Sequence, residues 1–407
     1  MQQTEATPPA APKPGAEPRQ LRELALLFLR LGTTCFGGPA AHTAIMEDEF
    51  VRRRGWITHE RFLDLLGAVN LIPGPNSTEM AIYIGYLRAG WRGLLLGGIC
   101  FILPAMVLVT LIAWAYVEYG SLPQFASLLY GVKPVLIAII AQALWGLGRK
   151  AIKTKLLAAL AVLVIAGSLL GLDGLSMLLG AGVVVALARG VAERGRDPRG
   201  TLKALAVMAA VVVAIIATVY LSSRIGAAAR TEPSLSALFL YFTKVGSILY
   251  GSGYVLLAFI QTDLVDRFHW LSTPQLLDAT AVGQVTPGPL FTTATFIGYL
   301  LNGLPGAVVA TVGIFLPSFA FVAVSGPLVP RLRQSPIAGA FLDGVIVASL
   351  ALMAAVTWQL ARSALIDLPS VLLAAGSALL LVRFRVSSSW LVLGGAVIGL
   401  LVKGLGA

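Results

Sequence analysis

Two copies of Pro-Gly-Pro set into apolar sequence constrain this chain most. "NLIPGPNSTEMAIYIGY" occupies positions 70 to 86, and "QVTPGPLFTTATFIGYL" occupies positions 284 to 300. Proline lacks a backbone N–H and blocks continuation of a helix, so each triplet must end one helix and precede another. The flanking segments at 62–72 and 77–87 are too short to cross a hydrocarbon core of ~30 Å without tilting or thinning the bilayer. They are expected to be half-helices that meet at a turn. Backbone groups left open at membrane depth must be buried in protein or line a wet cavity, so the turn is expected to line a pathway.

Composition supports the membrane setting, because 57% of residues are hydrophobic and only 12% are charged, which cannot supply the surface of a soluble protein of this length. Runs such as "GGICFILPAMVLVTLIAWAYV" are long enough to span as helices, and the short alternating segments of a β-barrel are absent. The expected class is therefore an all-α polytopic membrane protein. Its net charge of +11 resides in Lys and Arg clusters between apolar runs, which reads as a topology signal and excludes a nucleic-acid partner. Cys35 and Cys100 both lie inside apolar segments, which argues against a disulfide framework or thiolate metal site. No HExxH or GxSxG occurs, so no enzyme, metal or cofactor is expected.

The duplication extends well beyond the turns. An offset of 214 pairs Gly32 with Gly246, Gly37 with Gly251, Trp56 with Trp270, Asp64 with Asp278 and Pro73-Gly74-Pro75 with Pro287-Gly288-Pro289. After a one-residue deletion, an offset of 213 pairs Gly85-Tyr86 with Gly298-Tyr299, Pro104 with Pro317, Gly131 with Gly344, Trp145 with Trp358 and Arg149 with Arg362. Two homologous repeats follow, at 21–196 and 231–407, preceded by a disordered cytoplasmic tail at 1–20 and joined by a linker at 197–230 with a transmembrane helix at 204–221. Expected crossings at 93–117, 124–147, 156–172 and 174–188 place Arg19 and Arg22, Arg52 to Arg54, Arg88 and Arg92, and the clusters at 149–155 and 189–203 on the cytoplasmic side. The linker crossing then inverts the second repeat. Arg331, Arg333, Arg383 and Arg385 fall inside, whereas Arg224, Arg230 and Arg362 fall outside and vote against that topology.

Candidate site residues cluster at the turns. Half-helices beginning at Asn76 and near Leu290 present positive dipole ends suited to an anion. Asn70, Asn76, Ser77 and Thr78 in one repeat, and Gln284, Thr286, Thr292 and Thr293 in the other, supply donors that could replace the water shell of an oxyanion, with Gly74 and Gly288 at the turns. Arg30 and Lys244 are repeat counterparts in the first broken helix of each half, and a start about eight residues upstream puts each ~12 Å deep. Buried cations call for a partner, and a dianion would satisfy both. Glu79 reads either as a proton carrier or, more readily, as the N3 residue of a capping box begun by Asn76. His42 is read as a proton relay or, more often in such a place, as a hydrogen-bonded structural residue. Gly93/Gly97, Gly167/Gly171 and Gly395/Gly399 have the spacing of close helix packing, and Trp145 and Trp358 read as packing or anchoring residues.

"FGGPAAH", "NLIPGPNSTEMAIYIGY", "GSGY" and "GQVTPGPLFTTATFIGYL" resemble the signature segments of the chromate ion transporter family, in its long bidomain form. The second half carries "YGSGY" where the pattern has FGGP. The resemblance implies a multi-pass plasma-membrane exporter of chromate built from two homologous halves of opposite orientation. Sulfate, another tetrahedral dianion, is an alternative substrate, and a homodimer is an allowed assembly in the lipid bilayer. An anion channel or lipid scramblase would use similar broken helices.

Overall fold

The computed structural model describes residues 18–36, 38–120, 122–193, 233–250, 253–333, 336–384 and 386–404. The linker helix expected at 204–221, Arg224 and Arg230, and all of the expected tail but its last three residues, lie outside these. All regular structure among the described residues is helical. The first half contains α1 (Pro18–Thr34), α2 (Gly38–Glu47) running into a π-turn at Asp48–Arg53, α3 (His59–Val69), α4 (Asn76–Tyr119), α5 (Pro123–Ala151), α6 (Lys155–Leu169) and α7 (Gly174–Glu193). The second repeats the series as α8 (Leu235–Ile248), α9 (Val255–Ile260) with a π-turn at Gln261–Arg267, α10 (Thr273–Val285), α11 (Thr293–Arg333), α12 (Pro336–Ala364), α13 (Leu368–Arg383) and α14 (Ser388–Gly404).

Both half-helix pairs form as the proline triplets require. α3 ends before the first turn and α4 begins after it; α10 and α11 flank the second turn in the same way. The two longest helices are hairpins rather than rods. Ala89 (φ −142°, ψ 24°) and Gly90 (φ 58°, ψ −143°) break α4, and Asn302 (φ −144°, ψ 26°) and Gly303 (φ 59°, ψ −151°) break α11 in the same manner. Within a straight helix, residues eight apart are separated by ~12 Å. Here a Cβ on Gly85 would strike the Gly93 carbonyl, and one on Gly298 would strike the Gly306 carbonyl, so each chain doubles back on itself. Gly97 packs against the Ala81 carbonyl in the same seam. The close-packing role expected of the Gly93/Gly97 pair is realised between the arms of one hairpin.

Farther along, the two halves exchange helices. α5 of the first half packs on α14 of the second, and α12 of the second packs on α7 of the first. Gly131 makes the first contact against Gly395 and Gly399; its counterpart Gly344 makes the second against Ala181 and Gly182. Contacts that recur with the partners interchanged define a two-fold relation between the repeats. The Tyr130 hydroxyl adds a polar tie across the halves, donating to Asp367 at 2.7 Å where that residue caps α13. Gly167/Gly171 does not match the packing reading: Gly171 (φ 80°) lies in the α6–α7 turn with open space around it.

Four helical stretches are long and apolar enough to cross a membrane, at Asn76–Tyr119, Ala126–Ala151, Leu290–Val324 and Ile337–Ala364. α6 and α13, with 15 and 16 residues, reach only ~22–24 Å and fall short of a full hydrocarbon core. Leu, Val and Ile side chains cover the outer surface, together with Trp91, Trp114, Trp145, Trp358 and Trp390. A lipid-facing surface requires this.

Gly85→Val or Gly298→Val should force the hairpin arms apart and destabilise the fold by about 1–3 kcal/mol, read as a lower melting temperature in detergent. Gly146→Ala, where a Cβ meets nothing within 4 Å, should leave melting unchanged.

Candidate functional site

The site begins with the backbone of the two turns. Gly74 (φ 137°) and Gly288 (φ 95°) occupy a region that side chains rarely tolerate. The Gly74 N–H donates to the Leu249 carbonyl at 2.8 Å, and the Gly288 N–H donates to the Cys35 carbonyl at 2.8 Å. Cys35 directly follows α1 and Leu249 directly follows α8. Each turn is therefore closed by the helix break of the opposite half. All six residues of the two Pro-Gly-Pro triplets are buried.

Around this cross, most of the polar side chains named from the sequence are already engaged. The Asn76 amide donates to Asn70 Oδ1. Tyr254 donates to Gln284 Oε1 at 3.3 Å. Thr286, Thr292 and Thr293 donate to the carbonyls of Val282, Pro289 and Leu290 at 2.9, 2.8 and 2.8 Å. The hydroxyl protons expected to solvate an anion are spent on the backbone in this arrangement. Ser77 and Thr78 are buried, and Thr78 Oγ1 has no hydrogen bond among the described residues.

Glu79 is fully buried, and neither carboxyl oxygen makes a hydrogen bond among the described residues. A Cβ on Gly74 would land on both Glu79 Oε1 and Ser318 Oγ, so carboxyl, hydroxyl and turn converge at one spot. The expected capping box does not form. Pro75 occupies the N-cap position without a side-chain cap, and the Pro75 carbonyl accepts from Thr78 and Glu79 N–H. Asn76 is already inside the helix and turned toward Asn70. His42 is buried in T-shaped contact with Phe101 and stands beside the Cys35 carbonyl.

Arg30 and Lys244 are not brought together. Arg30 is exposed and lines an open cavity of about 330 Å³ with Asp48, Glu49 and Arg53. Lys244 Nζ lies 3.4 Å from Asp263 Oδ2 in a separate small cavity bordered by Asp173. Each lies beside a carboxylate at the same repeat position, since Glu49 and Asp263 are 214 residues apart, so the two cations occupy equivalent sites in separate halves. Sequence reasoning missed a second buried cluster, in which Lys133 Nζ lies 3.0 Å from Asp278 Oδ1 and the Tyr116 hydroxyl donates to Asp278 Oδ2 at 3.0 Å. A single Lys in "YGVKPVLIAII" was the available signal, since an ionisable residue inside an apolar span rarely lacks a role.

The sequence profile of the chromate transporter family matches residues 22–187 and matches again at residues 236–400. The chain belongs to the chromate transporter family. It is 35% identical to the chromate transport protein of Cupriavidus metallidurans over 93% of this chain and 92% of that protein. It is 32% identical to the probable chromate transport protein of Synechococcus elongatus, covering 87% and 88% of the two chains. It is also 32% identical to the chromate transport protein of Pseudomonas aeruginosa, covering 90% and 86%. No solved structure matches the chain. The double match places one copy of the family unit on each half, in agreement with the two repeats.

Because Asn76 is not a cap, Asn76→Ala should change stability by no more than about 0.5 kcal/mol, against about 1–2 kcal/mol for loss of an N-cap. Thermal melting of the purified variant in detergent measures the difference.

Proposed function

We propose that the protein is a secondary transporter that exports chromate across the cell membrane and thereby confers chromate resistance. The observation that carries this reading is the match, over most of both lengths, to relatives named as chromate transport proteins, in a chain whose two repeats meet at crossed, glycine-dependent turns. Its N-terminus lies in the cytoplasm, the second repeat is inverted in the membrane, and access alternates as one half rocks against the other about those turns.

Energetics favour the outward direction. An inside-negative potential drives a dianion outward by ~4.6 kcal/mol per 100 mV, twice the value for one charge. Efflux needs no coupled ion on that account. The path is lined by Asn70, Gly74, Asn76, Ser77 and Thr78 in one half and by Gln284, Gly288, Thr292 and Thr293 in the other. The bonds that now hold these side chains lie within a single half, so their donors turn to the anion by side-chain rotation. Arg30 draws the anion into the open cavity beside α1, while Lys244 becomes available when Asp263 releases it. Glu79 and His42, both buried beside the two docked turns, are the groups through which a proton would couple to the same motion.

Purified protein in liposomes with an imposed potential tests this reading. Chromate flux should saturate, follow the potential and fall with excess sulfate. Glu79→Gln should retain potential-driven flux but lose any proton movement accompanying it. Flux linear in chromate would indicate a channel, and movement of labelled lipid without chromate flux would indicate a scramblase; either overturns the proposal.

A further inference from the structure

A buried ion pair joins the halves on the helix that leads into the second turn, and the proposed path makes no use of it. Asp278 on α10 is 3% exposed. Its two carboxylate oxygens are held separately, one by the Lys133 ammonium on α5 and the other by the Tyr116 hydroxyl on α4, each at 3.0 Å. Both donors belong to the first half and the acceptor belongs to the second. Behind them, the Tyr116 ring packs edge-to-face on Phe296, 5.2 Å between centroids, in the arm that follows the second turn. The cluster thus touches both elements that the Pro-Gly-Pro turn connects.

Its chemistry is that of an oxyanion site with an internal occupant. One ammonium and one hydroxyl converge on a planar carboxylate from neighbouring helices, the donor set that two oxygens of a tetrahedral oxyanion would require. The other two cations differ. Lys244 shares its cavity with two carboxylates, Asp263 and Asp173, and Arg30 opens onto a broad cavity shared with Asp48 and Glu49. Lys133 and Lys244 each face one carboxylate at ion-pair distance, but the Lys133 pair is the closer, at 3.0 Å against 3.4 Å, and it bridges the two halves.

We propose that Lys133 and Tyr116 bind the transported oxyanion, and that Asp278 is the built-in carboxylate that occupies them when no anion is present. This inference rests on the reading of the protein as an oxyanion carrier. An entering anion takes over both donors and releases Asp278, so only the Asp278 carboxylate, and no cation, has to be met by water when α10 leaves α4 and α5. With no anion, separating α10 would strand a charge on each side of the break, and the internal pair holds the halves together. Pairing in the empty carrier thereby links movement of the second turn to the presence of substrate.

The test uses full-length protein in detergent for chromate binding and in liposomes for chromate flux. Asp278→Asn removes the internal competitor and should bind chromate at least about fivefold tighter, because apparent affinity is reduced by the fraction of sites self-occupied. Lys133→Gln combined with Asp278→Asn leaves no lone charge; it should fold as the wild type does yet lose chromate binding and flux, whereas Lys133→Arg should retain both. Tyr116→Phe, which keeps the Phe296 packing, should weaken binding several-fold with unchanged melting. If the neutral double variant binds and transports like the wild type, or Tyr116→Phe keeps full affinity, the pair is structural and the inference falls. Absence of chromate binding and flux in the wild type would overturn the carrier reading itself.

Discussion

Two backbone hydrogen bonds, Gly74 N–H to the Leu249 carbonyl and Gly288 N–H to the Cys35 carbonyl, are the constraint on which the rest of the structure depends. Hydrocarbon offers no partner to a broken helix, so a chain interrupted twice in each half must satisfy those breaks from within. Neither half does this alone: each turn finds its acceptor where the first broken helix of the other half ends. The reciprocity requires a two-fold relation between repeats, and the same relation recurs where Gly131 meets Gly395 and Gly344 meets Gly182. Glycine is indispensable at the turns because their φ angles are positive and the facing atoms leave no room for a Cβ.

Much of this is legible in the order of the residues. Proline and glycine carry their backbone preferences locally, so both turns, the half-helices and the repeat offset could be read from residue order. Arg88 and Arg92 flank the reversal at Ala89-Gly90, which is why the charge-based reading brought the chain back there even without foreseeing a glycine-seamed hairpin. Choice of partner was not legible. That α7 would pack mainly on α12 of the other repeat depends on contacts far apart in sequence, and no local pattern encodes them.

Local patterns also misled in particular ways. "NSTE" has the spacing of a capping box, but Pro75 already holds the N-cap position and pushes Asn76 into the helix; Glu79 is left buried beside Gly74 and Ser318. Arg30 and Lys244 were correctly paired as repeat counterparts, yet pairing along two helices says nothing about the direction in which each side chain points. Lys133 and Asp278 lie 145 residues apart in sequence, and only the packing of α5 against α10 brings them together. A lone lysine in an apolar run was the visible half of that cluster.

The physical picture is of a transporter whose halves are joined by polar contacts, among them two backbone bonds at the turns, the ion pairs Lys133–Asp278 and Lys153–Asp343, and the Tyr130–Asp367 hydrogen bond. Movement of one half against the other must break these contacts, and Cys35 reports on that event because its side chain is buried and its carbonyl is the acceptor for Gly288. The most direct measurement is the alkylation rate of Cys35 by a membrane-permeant maleimide, in Cys100→Ser protein reconstituted in liposomes, with and without chromate turnover. Slow labelling at rest that accelerates during turnover is the result predicted for turns that separate in each cycle. Equal rates in both conditions while chromate flux proceeds would contradict it, since the anion would then be crossing without disturbing the docked turns.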